Sequence, residues 1–149
     1  MNSHKDLLVD VVKSVWSTSL GLTVESGPGS PPTSGNVFGA RIADLGATED
    51  SLLLECSMPM AQAAAARMFH LGLDELGEED LLDAVGELAN ILAGNVRDLF
   101  PEWTRLGTPQ ALRGVELEAC LESSSADGLQ FQCEGMPFRV FLSCPTGQD

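Results

Sequence analysis

Three side chains stand out by type and spacing: Asp83, Glu87 and Asn90. Stepped at about 100° per residue from Asp83, Glu87 falls at about 40°, Asn90 at about −20° and Gly94 at about 20°. Leu81, Val85, Leu88, Ala89, Leu92, Val96 and Leu99 fall in an opposite band at roughly 140–240°, which assigns them to the core. Two carboxylates and a carboxamide therefore share one outward row. A carboxylate accepts charge-assisted bonds from lysine or arginine, and a carboxamide offers both an acceptor and donors. Any solvated helix face carries polar residues, so a row of this kind is compatible with no function at all. Asn, however, competes for backbone hydrogen bonds and is a poor helix-interior residue. Gly94 continues the row and Gly86 lies beside it, although each glycine costs about 1 kcal/mol relative to alanine in a helix. The combination suits a face kept clear for a partner's close approach.

Other site chemistries find little support. There is no Ser/His/Asp set and no His-x-x-x-His spacing for a metal. The Gly/Pro/Ser-rich stretch at 26–35 lacks the following helix N-terminus and the lysine that a phosphate-cradling loop uses, and reads as a connector.

The elements that must position the row follow from periodicity. Leu8, Val11, Val12, Val15 and Trp16 form one apolar helical stripe, and a short strand is expected at 20–25. Residues 36–45 and 51–58 read as paired strands turning through 46–50. Pro59 can open the next helix, residues 61–66 are strong helix formers, and Gly72 can end it, with His70 a helix-end residue. The long helix runs from 78 to 99, with Glu78, Glu79 and Asp80 favouring its dipole and Pro101 stopping it. Val115, Leu117, Ala119 and Leu121 then alternate with Glu116, Glu118 and Glu122 as in a strand. Residues 129–133 and 138–144 repeat the strand pattern around 134–137. This order predicts an α+β fold: an antiparallel-rich sheet with helices packed on one face.

Composition limits the partners. A chain of 149 residues with 44% hydrophobic residues is one ordinary domain able to bury a core. Its 8 Lys and Arg against 22 Asp and Glu leave a net charge of −14. Such a surface repels phosphate backbones and anionic lipid, so neither nucleic acid nor a membrane is expected as a partner. The first residues lack a signal peptide's apolar run, and no stretch approaches the ~20 apolar residues of a span. Cys56, Cys120, Cys133 and Cys144 are scattered in strand-like stretches, where free cysteine behaves as a small hydrophobe. A cytoplasmic protein is expected.

The segment Asp83-Ala84-Val85-Gly86-Glu87-Leu88-Ala89-Asn90-Ile91-Leu92-Ala93-Gly94-Asn95 resembles the signature helix of the CheX/CheC chemotaxis phosphatases. That helix carries Asp or Ser, Glu four residues on and Asn three further, followed by a downstream Pro that Pro109 resembles. With the element order from residue 6 to 144, the resemblance covers nearly the whole chain, as a CheX-like domain over 1–149.

The resemblance implies hydrolysis of the phosphoaspartate on a CheY-type response regulator. Asn90 is then the residue that positions the attacking water. Glu87 pairs with the receiver's lysine, and Asp83, Gly86, Gly94 and Pro109 contact the partner. The task is mostly positioning, because the receiver brings its own Mg²⁺ and lysine; the phosphatase needs no cofactor or metal of its own. Glu87 to Asn90 is the single Glu-x-x-Asn of the sequence, as in CheX-like members, which resemble symmetric dimers. A homodimer joined through the sheet is therefore expected. The alternatives are a non-catalytic CheX-like module that binds a receiver, or a component of a flagellar switch.

Overall fold

A computed structural model of the chain describes residues 4–27, 36–46, 50–99, 103, 105–123 and 128–143. The elements are α1 (His4–Leu20), β1 (Glu25–Ser26), β2 (Val37–Ala43), β3 (Ser51–Ser57), α2 (Met58–Phe69), a 3-10 turn (Leu73–Glu75), α3 (Glu78–Arg97), β4 (Gln110–Leu112), α4 (Gly114–Ser123), β5 (Leu129–Cys133) and β6 (Met136–Ser143). The strands form one sheet in the order β1-β5-β6-β3-β2-β4, antiparallel at every pairing. The expected α+β architecture is thus present.

Alternation along the central strands divides the sheet into two faces. Phe38, Ala40 and Ile42 of β2 stand opposite Cys56, Leu54 and Leu52 of β3, which in turn stand opposite Phe138, Val140 and Leu142 of β6. These residues meet the apolar sides of α1, α2 and α3 in the main core. Trp16 of α1 stacks on Phe138 with ring centroids 4.3 Å apart. Burial of large side chains of this kind contributes roughly 1.5–3 kcal/mol each. Burial also pushes the Cys56 thiol up, with the Glu55 charge adding to the effect, so this cysteine behaves as an apolar core residue.

The other face is smaller. Val37, Leu53, Leu112 and Phe141 gather around Leu117 of α4. Here the structure departs from the sequence reading, because residues 114–123 are helical and not a strand. Leu117 and Leu121 are spaced four apart, a spacing that fits both periods. Their surroundings decide between them: Leu117 is buried, Cys120 and Leu121 pack beside it, and Val115 is exposed. Gly39 makes room for this contact, since a Cβ there would lie 2.6 Å from a Leu117 δ-carbon. Cys120 therefore sits in a helix, while Cys144 and Pro101 lie outside the described residues. On the same face, beyond α4, Arg139 Nε donates to the buried Glu55 carboxylate.

Smaller differences concern element ends. Residues 20–25 were expected as a strand, but α1 continues to Leu20, where Arg67 Nη1 donates to the Leu20 carbonyl at 3.0 Å. Gly21 then turns the chain at φ 69°, leaving only Glu25–Ser26 to pair with β5. Ser57 caps α2 by accepting from the Met60 N–H, and Met58 precedes Pro59 in its first turn. Its other end is closed by His70 in the left-handed region, whose N–H donates to the Ala66 carbonyl, rather than by Gly72. The β5–β6 hairpin turns through Glu134 and Gly135, both at positive φ, so Met136 and Pro137 join the strand. Among the described residues no helix is long and apolar enough to cross a membrane.

Candidate functional site

The site is built on α3. Asp80 at the helix start accepts from the Gly77 N–H at 2.9 Å, which fixes the first turn. Leu81, Ala84, Val85, Leu88, Ala89, Leu92, Ala93 and Val96 are buried against the sheet, α1 and α2, while Leu99 is half-buried beyond the helix end. With that side committed to the core, the helix cannot rotate, and Asp83, Glu87, Asn90 and Gly94 are all exposed. The row lies where the periodicity placed it. Among the described residues no hydrogen bond or ion pair engages the side chains of Asp83, Glu87 or Asn90.

The two glycines of α3 differ. Among the described residues a Cβ on Gly94 would meet nothing within 4 Å, and the helix presents exposed backbone there. Gly86 is buried, and a Cβ on it would lie 3.4 Å from Pro109 Cβ. The group that comes close to Gly86 is this chain's own Pro109. A methyl at 86 would just touch Pro109, so the segment before β4 crosses the helix with little space left between them.

That segment is tied at both ends. Trp103 Nε1 donates to Asp50 Oδ2 at 2.7 Å, and the Arg105 N–H donates to Asp44 Oδ1 at 3.2 Å. The Leu45 N–H donates to the Arg105 carbonyl, and the Gly107 N–H to the Ala43 carbonyl at 2.8 Å. Past Pro109, β4 pairs with β2. Arg113 then pairs with Glu78 at 2.9 Å, with its guanidinium 3.9 Å from the centre of the Phe38 ring. Pro109 is thus held against α3 from both sides.

Between Pro109 and the helix opens a cleft of about 450 Å³. Its lining brings together Asp83, Gly86, Glu87 and Pro109, four of the six residues singled out in the sequence, with Phe69, Leu82 and Ala111. Asn90 and Gly94 continue the row beyond the cleft, one and two turns past Gly86. Sequence reasoning did not pick out the three added residues. Phe69 is the last residue of α2 and remains 37% exposed, and an exposed aromatic at a helix end is a usable signal. Ala111 carried none. No group of three or more His, Cys, Asp or Glu side chains among the described residues is placed to hold a metal ion.

The arrangement offers an acidic rim, an amide on an open helix face and an apolar cleft beside them. By fold the chain is similar to the chemotaxis protein CheX of Desulfovibrio desulfuricans, at 20% identity and TM-score 0.68, covering 95% of this chain and 98% of that one. It is similar to CheX of Vibrio vulnificus at 18% identity and TM-score 0.69, covering 96% and 99%. A chain of the CheX–CheY–BeF3–Mg complex of Borrelia burgdorferi matches at 18% identity and TM-score 0.68, covering 95% and 97%. At these identities the likeness shows the fold. Comparison with curated proteins gives no match. The family model of chemotaxis phosphatase CheX matches residues 38–134, which span β2 through β5 and include all of α3 and Pro109. The chain belongs to the CheX family of chemotaxis phosphatases.

Proposed function

We propose that this protein hydrolyses the phosphoaspartate of a CheY-type response regulator by placing a water for in-line attack. The observation that carries the reading is the exposed, unengaged row of Glu87 and Asn90 on a helix whose opposite side is locked in the core. Asn90 presents a carboxamide that can accept from a water and donate to the phosphoryl group, so a single side chain fixes the nucleophile's position and orientation. Glu87, one turn earlier, pairs with the receiver's lysine and sets the docking geometry. Asp83 extends the acidic rim, and Gly94 lets the receiver approach the helix backbone. Mg²⁺ arrives with the phosphorylated receiver as part of the substrate, where it neutralises phosphoryl charge. A CheX–CheY complex from Borrelia burgdorferi gives this reading a precedent in the same fold.

The same reading places the chain in the cytoplasm as one CheX-like domain. It also makes the protein a homodimer joined through its sheet, so that two copies present two sites. Light scattering at micromolar concentration checks the dimer, and a monomer mass contradicts it. The function itself is tested by mixing the protein with phosphorylated CheY-type receivers and timing phosphate loss. Acceleration over a receiver's own hydrolysis supports it; binding without acceleration reduces the protein to a docking module. Glu87→Ala should weaken both binding and turnover, because an interfacial ion pair is lost.

A further inference from the structure

We infer that the cleft beside Glu87 is a preformed socket for an apolar side chain of the receiver, one flanked by a lysine or arginine that meets the acidic rim. This rests on the function proposed above and names the chemistry of the partner surface.

The walls of the cleft are apolar: Phe69 from the end of α2, Leu82 of α3, Pro109, and Ala111 of β4. Its charged lining residues are Asp83 and Glu87, both acidic. The chain leading into α3 is acidic as well, with Asp74 and Glu75 on the 3-10 turn and Glu79 and Asp80 opening α3, while Arg67 in the last turn of α2 is turned to the Leu20 carbonyl. Arg113, which closes the segment carrying Pro109, already pairs with Glu78. A surface that seats apolar atoms here must therefore bring positive charge, or it buries these carboxylates against its own anions. A second copy of this chain, at net charge −14, is a poor occupant on that ground.

The wall of the socket that carries Pro109 is fixed by this chain's own contacts. The ties at Trp103, Arg105, Gly107 and Arg113 hold Pro109 in place beside Gly86 of the helix. Binding then loses little freedom in this wall, which is how a small apolar contact contributes useful affinity. The socket adjoins Glu87 but not Asn90, so it governs which receiver docks and where.

The test titrates the parent and Ala111→Trp with CheY-type receivers carrying beryllofluoride and Mg²⁺. Ala111 is exposed on an edge strand, so the indole fills the cleft without entering the core. Kd should rise at least about tenfold in the variant. Asp83→Lys should also weaken binding and flatten its dependence on salt. Should the tryptophan variant fail to fold, Phe69→Ala removes the opposite wall and is read in the same way. A receiver that binds Ala111→Trp within twofold of the parent overturns the socket, even if its phosphate is hydrolysed as fast as ever. A receiver that binds through the socket but gains no hydrolysis supports the socket and overturns the catalytic reading. Self-association of the parent that Ala111→Trp abolishes would give the cleft to a second copy and overturn the inference, as would failure to bind any such receiver.

Discussion

The two sides of α3 share one backbone and differ in what holds them. Toward the core, Val85, Leu88 and Leu92 have no exposed surface and interlock with the sheet and two helices. Toward solvent, Asp83, Glu87 and Asn90 engage no described neighbour, and Gly94 leaves the backbone bare. The core side contributes stability and fixes the rotation of the helix. The outer side contributes almost none and is free to be shaped by a partner. Substitutions should therefore separate, with stability lost on one side and function on the other, except at Gly86, which is buried and also lines the cleft.

The largest stability effect is expected from Leu88→Ala, which empties a fully buried site and should cost about 2–5 kcal/mol. Urea unfolding measures it, and a loss below about 1 kcal/mol would mean that the core side is not close-packed. Gly86→Val comes next. Its methyl groups must push against Pro109, so about 1–3 kcal/mol of strain is expected. Receiver affinity should fall with it, because the cleft wall moves. Unchanged affinity in a stably folded Gly86→Val would separate Pro109 from docking. The smallest effect has the opposite sign. Gly94→Ala meets no described neighbour and should stabilise the protein by about 0.5–1 kcal/mol. If the bare backbone serves close approach, the same variant should bind a receiver less tightly, a gain in stability with a loss in function. A variant that is more stable and binds equally well would remove Gly94 from the docking face.

The same contrast explains what could be read from the sequence. The orientation of α3 was legible because its apolar period persists through a helix of 20 residues, and no other period fits that many positions. The central strands were legible for a similar reason, since their apolar runs are bounded by turn residues. Residues 115–121 were not. Four apolar residues at alternate positions satisfy a strand, and the Leu117–Leu121 pair satisfies a helix equally well. The deciding fact is tertiary: the missing side chain of Gly39, on a strand more than seventy residues earlier, leaves a slot that Leu117 fills. At the site, Asp83, Glu87 and Asn90 were readable from spacing, and Pro109 from its resemblance to a family motif. The cleft was not, because it forms only when α2, α3 and β4 converge: an aromatic at the end of α2 can flag Phe69 alone, and Ala111 carries no local signal.

The central claim is that Asn90 positions the attacking water while the rest of α3 holds it in place. The direct measurement is the single-turnover rate of phosphate loss from a cognate labelled receiver, at saturating protein, for the parent and Asn90→Ala. Alanine leaves the buried side intact and favours the helix, so folding and receiver binding should be retained. The rate at saturation should fall by roughly a hundredfold, the cost of losing a positioning group. If Asn90→Ala, folded and saturated, removes phosphate as fast as the parent, Asn90 does not position the water and the account of this face is wrong.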